Sequence, residues 1–163
     1  MRWRSVLITL AALMLVLVLA ILVGGNTGPG KARVAPQLPA RVLVGPRVDN
    51  GGLRGRPAII HFWASWCPPC VKEAPQLALL ASALHGRATL VGVDWSDNRA
   101  SAERFVRQQH WTFPVLIDSS GEVGNAYGIT GLPTTFLLDR QGRIVRRLIG
   151  PQTATELLSI IPR

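Results

Sequence analysis

The chain has only two cysteines, and both lie in the segment Trp66-Cys67-Pro68-Pro69-Cys70. Two cysteines at this spacing, at the start of a helix, can close a small disulfide ring. One thiolate can then attack a disulfide in another molecule, and the other thiol resolves the mixed disulfide. The motif therefore indicates a redox-active dithiol, and it calls for a fold that begins a helix at this point.

The sequence changes its pattern on the two sides of the dithiol. Ala58–Trp63 is an apolar run rich in β-forming residues, as expected for a buried central strand. From Pro68 to about Leu84, apolar residues recur at helical spacing, and prolines stand in the first turn, where a missing N–H costs least. Pro75 is expected to kink this helix rather than end it. The dithiol is thus predicted to lie at the carboxyl end of a strand, where open α/β sheets place their chemistry.

The rest of the chain alternates between strand and helix patterns. Predicted strands cover about 41–44, 89–95, 114–117, 134–138 and 144–149, and predicted helices about 100–110, 122–127 and 154–161. The last two strands are separated by a turn at 139–142. This order predicts an α/β fold in which a mixed central sheet is flanked by helices on both faces.

Residues 1–23 have the character of a membrane segment. The 18 residues from Val6 to Val23 carry no charge, and a helix of that length can cross a bilayer. Cleaved signal peptides usually have a shorter apolar stretch and an Ala-x-Ala-like site, so we expect an uncleaved signal-anchor helix over 1–23. Arg2 and Arg4 favour a cytoplasmic N-terminus. The remainder is then expected outside the cytoplasm, on the periplasmic or outer face of the cell membrane, where a disulfide can persist.

Residues 24–40 are rich in Gly, Pro, Asn and Thr and are predicted to form a linker, with a single folded domain over 41–163. The formal charge of the whole chain is +9, but from residue 34 onward only 14 basic and nine acidic residues remain. These are dispersed and are not interleaved with aromatic residues that could stack on bases. We therefore expect no nucleic-acid partner, while attraction to anionic lipid headgroups or to an acidic protein surface stays open.

Two stretches of the chain resemble the thioredoxin superfamily. They are Phe62-Trp63-Ala64-Ser65-Trp66-Cys67-Pro68-Pro69-Cys70, followed by Glu73 and Pro75, and Tyr127-Gly128-Ile129-Thr130-Gly131-Leu132-Pro133-Thr134-Thr135-Phe136-Leu137-Leu138-Asp139. More narrowly, the chain resembles the membrane-anchored TlpA and ResA group and the DsbE (CcmG) reductases of cytochrome c maturation. The similarity covers roughly residues 36–161 in order.

This resemblance implies a thioredoxin-like fold preceded by one N-terminal transmembrane helix. It also implies a cis bond between Leu132 and Pro133, in a loop that packs beside the dithiol and pairs with the substrate backbone. A proline that only starts a strand is the alternative for Pro133. No bound cofactor is expected, because the Cys67–Cys70 disulfide itself carries the electrons.

Cys67 is the predicted nucleophile, because the N-terminus of a helix stabilises a thiolate, and Cys70 is the predicted buried resolving thiol. Pro68 and Pro69 remove two N–H donors, which favours a reductant over a strong oxidant. A structural disulfide stays open as an alternative. A zinc site is disfavoured, since no second Cys or His pair has suitable spacing, and haem attachment is disfavoured by Val71, where that motif needs His.

Further residues near the dithiol are candidates for a supporting role. Glu73 lies three residues after Cys70 on one helical face, so it is either a proton relay for the thiol or a solvated residue. His61 aligns with the buried aspartate of thioredoxin, where the cytochrome-maturation relatives more often show asparagine. It is either a proton shuttle or a satisfied polar residue of the core. Trp66 is expected to shield the site.

Asp94 lies near the end of the predicted strand 89–95 and Asp97 lies just after it, at the edge of the sheet where the dithiol is expected. They belong either to the site or to the cap of the next helix.

These observations lead to the hypothesis of an extracytoplasmic, membrane-tethered thiol–disulfide oxidoreductase that reduces substrate disulfides. The resemblance implies the Cys-x-x-Cys-His segment of apocytochrome c as a substrate, and a membrane thiol carrier of the CcdA or DsbD kind as electron donor. An oxidase or isomerase that gives disulfides to exported proteins is the alternative with the same chemistry. A non-catalytic thioredoxin-like binding module or metallochaperone is the alternative from another class.

Overall fold

The structure is a computed structural model of the 163-residue chain, and it describes residues 33–161 together with Trp3 and Met14. The predicted membrane helix over 1–23 and the first part of the predicted linker lie outside the described residues. Among the residues that are described, no helix combines the length and the apolar character that a membrane span requires.

Strands and helices alternate along the described chain. The strands are β1 (Arg33–Val34), β2 (Val42–Val44), β3 (Ala58–Trp63), β4 (Thr89–Trp95), β5 (Val115–Asp118), β6 (Thr134–Leu138) and β7 (Arg143–Ile149). The helices are α1 (Pro68–Ala83), α2 (Arg99–Gln108), α3 (Glu122–Tyr127) and α4 (Ala154–Ile160). Helix α1 continues through Pro75.

The strands form one mixed sheet in the order β1-β7-β6-β3-β4-β5-β2. Strands β3, β4 and β5 run parallel to one another, β6 runs antiparallel to β3, and β7 runs antiparallel to β6. Strand β3 is central and all six of its residues are buried, which explains why its sequence is apolar rather than alternating. The carboxyl ends of β3 and β4 therefore meet at one edge of the sheet, directly before α1 and α2.

Each face of the sheet carries its own hydrophobic core. On one face, Ile59 and Trp63 of β3 pack with buried residues of α1, α2 and α4. On the other face, Ile60 and Phe62 pack with Tyr127 of α3. Helices thus cover both faces, and the predicted α/β architecture with a mixed sheet is confirmed.

The folded unit begins earlier than the predicted boundary at residue 41. A compact unit spans Arg33–Arg163, and Arg33 of β1 pairs with Ile144 of β7. The side chain of Asn50 fixes the next residues, because its amide donates to the carbonyl oxygens of Ala35 and Pro36. The prolines of this segment exclude a helix but not an extended chain on the sheet edge, so residues 33–40 of the predicted linker are part of the fold.

Candidate active site

The dithiol lies at the start of α1, immediately beyond the carboxyl end of β3. Cys67 is the N-cap residue of α1 and forms a disulfide with Cys70, with 5.3 Å between their Cα atoms. Pro68 and Pro69 occupy the first two helical positions and have no N–H. The N–H of Cys70 is therefore the first that the helix presents, and it donates to Cys67 Sγ at 3.2 Å.

The two cysteines are similarly buried in this oxidised form. Cys67 is 3% exposed and Cys70 is 2% exposed, whereas the neighbouring Trp66 is 56% exposed. The burial of Cys70 agrees with its predicted place in the helix, but exposure alone does not distinguish the two thiols. What distinguishes them is that Cys67 caps the helix and receives its first N–H.

The loop between β4 and α2 holds the segment that precedes Cys67. Asp97 Oδ2 accepts a hydrogen bond from the N–H of Ser65 at 2.7 Å, and Trp66 Nε1 donates to the carbonyl oxygen of Ser96 at 3.1 Å. The N-cap of α2 is Asn98, whose side chain accepts from the N–H of Ser101. Asp97 therefore belongs to the wall of the site and is not the helix cap.

Asp94 is the other carboxyl group of this wall. It is fully buried, and neither of its oxygens has a hydrogen-bond donor from the described residues. Burial, together with the nearby Asp97 and Asp118 carboxylates, raises the pKa of Asp94 to about 8, so it is mainly protonated at neutral pH. These acidic residues do not make a metal site: in the part of the chain that the structure describes, no group of three or more potential ligands is suitably arranged.

Glu73 and His61 lie buried on the inner side of α1, at the face of the sheet. Glu73 Oε1 accepts the N–H of Gln152 at 2.9 Å, and Glu73 Oε2 lies 3.7 Å from His61 Nε2. The other ring nitrogen of His61, Nδ1, is 2.9 Å from Thr135 Oγ1 on β6. The sequence pattern alone left a solvated position open for Glu73, and the structure excludes it.

Burial changes the acidity of both groups. It lowers the pKa of His61 to about 3 and raises the pKa of Glu73 to about 7, although the Gln152 N–H partly opposes the latter shift. His61 is thus a neutral imidazole at physiological pH, and its contact with Glu73 is not an ion pair. Glu73, in contrast, can gain or lose a proton near neutrality.

The loop before β6 lies at the same edge of the sheet as the dithiol. The Leu132–Pro133 bond is cis, the isomer that the resemblance implies. Because Thr134 pairs with Phe62 in the antiparallel β3–β6 ladder, Pro133 lies level with Trp63, the last residue of β3, at the end of the strand from which the chain leads to Cys67. Leu132 packs against both cores, and within the described residues no backbone hydrogen bond engages its N–H or C=O.

Sequence reasoning missed the partners that link distant segments. Ser65, Thr135 and Gln152 each bond to a candidate residue, yet none carries a signal of its own in the sequence. Thr135 lies in a predicted strand, but its contact with His61 depends on the β3–β6 register. That register cannot be read from a single sequence.

Comparisons with known proteins agree with this geometry. The Redoxin family matches residues 36–160 of the chain. Sporulation thiol-disulfide oxidoreductase A of Bacillus subtilis is 35% identical over 139 residues, covering 79% of this chain and 84% of that protein. Thiol-disulfide oxidoreductase ResA of Bacillus thuringiensis is 32% identical over 124 residues, covering 76% and 72%. The crystal structure of StoA from Bacillus subtilis superposes with a TM-score of 0.68 at 35% identity, covering 77% of this chain and 96% of StoA.

Both curated relatives are thiol–disulfide oxidoreductases, and in this chain the Cys67–Cys70 pair has the spacing and helix position that such exchange requires. The chain therefore belongs to the Redoxin family and is a thiol–disulfide oxidoreductase of the ResA and StoA type.

Proposed function

We propose that this oxidoreductase works as a reductant of disulfides in extracytoplasmic proteins while tethered to the membrane. The reductive direction is supported by the start of α1. Pro68 and Pro69 have no N–H, so Cys70 supplies the first helical N–H to Cys67 Sγ. A strongly oxidising enzyme owes its potential to a highly stabilised reduced form. Fewer N–H donors give less stabilisation to a Cys67 thiolate, which favours the opposite direction.

The exchange begins from the reduced protein. The Cys67 thiolate attacks a sulfur of the substrate disulfide, which forms a mixed disulfide and releases one substrate thiolate. Cys70 then gives its proton to the Glu73 carboxylate, and the Cys70 thiolate attacks Cys67 Sγ. This step closes the Cys67–Cys70 bond and releases the second substrate thiolate. Two electrons pass from the protein to the substrate, so no bound cofactor is required.

Substrate binding is proposed to use the surface on which the dithiol opens. Trp66 offers an exposed aromatic side chain there. The N–H and C=O of Leu132, which no backbone hydrogen bond engages in the described residues, are proposed to pair with an extended peptide. The resemblance to the cytochrome-maturation reductases favours an oxidised Cys-x-x-Cys-His segment of apocytochrome c as that peptide.

The apolar stretch from Val6 to Val23 is proposed to anchor the protein, with the dithiol domain outside the cytoplasm. A tether raises the effective concentration of the dithiol near a membrane thiol carrier of the CcdA or DsbD kind, which would return the Cys67–Cys70 disulfide to the reduced state. Alkaline extraction of membranes should leave the full chain in the pellet, and external protease should reach its folded domain. Release by alkali, or protection from that protease, would contradict the tether or its orientation.

The proposed activity is tested by mixing the reduced protein with an oxidised Cys-x-x-Cys-His peptide and following the peptide thiols. We expect stoichiometric transfer of two electrons from the wild type and none from Cys67→Ser. A peptide of scrambled sequence with the same disulfide loop serves as the control for substrate choice. Peptide that stays oxidised while the protein stays reduced would contradict the reductase proposal.

A further inference from the structure

A buried polar chain joins β3, α1 and β6 beneath the dithiol. It runs from Thr135 Oγ1 to His61 Nδ1, a distance of 2.9 Å, and from His61 Nε2 to Glu73 Oε2, a distance of 3.7 Å. The exposed fraction of the side chain is 1% for His61 and 0% for Glu73. Bulk solvent therefore does not reach these groups.

One oxygen of Glu73 is already committed, and the other is not. Oε1 accepts the N–H of Gln152, whereas Oε2 has no hydrogen-bond partner among the described residues and faces His61 Nε2. A shortening of the 3.7 Å contact by less than about 1 Å would make it a hydrogen bond. Because buried polar groups are rarely left unpaired, His61 is the natural partner for Oε2.

We propose that His61 is a positioning residue that stays hydrogen-bonded to Glu73 whether that carboxyl is protonated or ionised. It does so by changing its own tautomer, and the Thr135 hydroxyl changes between accepting from and donating to the other ring nitrogen. The proposal concerns the same site and rests on the dithiol exchange at Cys67 and Cys70, but not on its reductive direction.

The hydrogen-bonding capacity of each group allows both states. When Glu73 is protonated, Oε2–H donates to His61 Nε2, and His61 Nδ1–H donates to Thr135 Oγ1. When Glu73 is ionised, His61 Nε2–H donates to Oε2, and the Thr135 hydroxyl turns to donate to Nδ1. The imidazole is neutral in both states, and the two differ by one proton, which Glu73 exchanges with the Cys70 thiol.

The directions of the His61 and Glu73 pKa shifts agree with this arrangement. Burial holds His61 neutral, which excludes an imidazolium as the resting state, and brings the pKa of Glu73 close to neutrality. Glu73 faces two groups, the imidazole of His61 on β3 and the uncharged backbone N–H of Gln152. Cys70 lies one turn before Glu73 on α1. Asp94 on β4 is a further buried carboxyl on the His61 face, because its partner in the β3–β4 ladder is Trp63, two residues after His61. Asp97, in the loop after β4, is also buried.

The tautomer can be measured directly by NMR on the full chain labelled with ¹⁵N-histidine, in the disulfide form, between pH 5 and 9. We expect the His61 ring to carry its proton on Nδ1 at the acid end and on Nε2 at the alkaline end. In Glu73→Gln the ring should keep one tautomer throughout. In Asp94→Asn the change should persist, which assigns it to Glu73. The exposed His85 and His110 are internal reference signals.

The kinetic consequence is tested at Thr135. Thr135→Val keeps the side-chain shape but removes the hydroxyl, and we expect it to slow the resolution of a mixed disulfide by about five- to tenfold and to displace its pH profile. Thr135→Ser restores a hydroxyl and should restore both. A single His61 tautomer across the whole pH range in the wild type, an imidazolium at pH 6, or an unchanged pH profile in Thr135→Val would overturn the proposal. Each of these results leaves the exchange chemistry at Cys67 and Cys70 intact, so the two failures are distinguishable.

Discussion

Asp97 accepts a hydrogen bond of 2.7 Å from the backbone N–H of Ser65, which stands two residues before Cys67. The same loop receives the indole N–H of Trp66 at the carbonyl oxygen of Ser96. The turn after β4 therefore fixes the approach to the dithiol, although it lies about 30 residues further along the chain. It holds the two residues that precede Cys67, while the hydrogen bond to the Cys67 sulfur comes from the N–H of Cys70.

Replacing Asp97 by Ala should loosen this approach. The Ser65 N–H loses its acceptor, so we expect the free energy of unfolding to fall by about 1–3 kcal/mol. We also expect slower attack by Cys67 on a peptide disulfide. Asp97→Asn keeps an acceptor oxygen and should lose less of both. Urea denaturation and stopped-flow exchange measure the two effects, and equal values for Asp97→Ala and the wild type would show that the bond does not position the site.

Serine substitutions of the two cysteines should affect disulfide exchange in different ways. Cys67→Ser removes the attacking thiolate, so it should show no disulfide exchange with a substrate. Cys70→Ser retains attack but cannot resolve, so a mixed disulfide between Cys67 and the substrate should accumulate. Mass spectrometry before and after dithiothreitol detects this adduct. Accumulation with Cys67→Ser instead would reverse the assigned roles, and full activity of Cys67→Ser would support the binding-module alternative.

Glu73 should make the protein less stable as pH rises. The pKa of Glu73 is raised from 4.5 to about 7 in the folded state, so the folded chain binds its proton more tightly than the unfolded chain. The stability that comes from the protonated form is complete below pH 4.5 and is lost as the pH rises toward about 7, a change of about 3 kcal/mol in the free energy of unfolding.

Glu73→Gln should remove this loss while keeping an oxygen for the Gln152 N–H. Denaturant titrations at pH 5 and pH 8 should therefore show a smaller difference for Glu73→Gln than for the wild type. Glu122→Gln is the matched control, because Glu122 is exposed at the start of α3. Identical pH dependence in the wild type and in Glu73→Gln would contradict the burial of an ionisable Glu73.

Gly124 has a packing reason to lack a side chain. A Cβ at this position would collide with the indole of Trp95, whose Nε1 is held by the carbonyl oxygen of Gly121 at 3.1 Å. Gly124→Ala should therefore lower the free energy of unfolding by about 1–3 kcal/mol. A Cβ at Gly131 meets nothing within 4 Å, so Gly131→Ala should change stability by only about 0.5 kcal/mol. Similar thermal unfolding of the two variants would contradict this packing.

Local patterns predicted the elements well. Strands β3, β4 and β6 and helix α3 have the predicted bounds, because strong apolar runs and flanking turn residues mark them. The Cys67–Cys70 pair could also be recognised from the sequence, because its two residues are close together in the chain. The elements flanking the dithiol could thus be predicted from neighbouring residues alone.

The partners of the site were not predictable in this way. His61 meets Thr135 across 74 residues and Glu73 meets Gln152 across 79 residues. These contacts depend on strand register and on the packing of α1 against the sheet, which arise from the whole fold. The same holds for residues 33–40, whose composition resembles a linker but which are fixed by β7 and Asn50.

The reduction potential of the Cys67–Cys70 couple decides whether this protein is a reductant or a disulfide donor. Residues 33–163, which form a compact unit, can be equilibrated with glutathione or dithiothreitol buffers while tryptophan fluorescence is followed. We expect a value near that of thioredoxin, about −270 mV, as suits a reductant that a membrane donor returns to the reduced state. A value near about −120 mV would contradict it and would identify the protein as a disulfide donor.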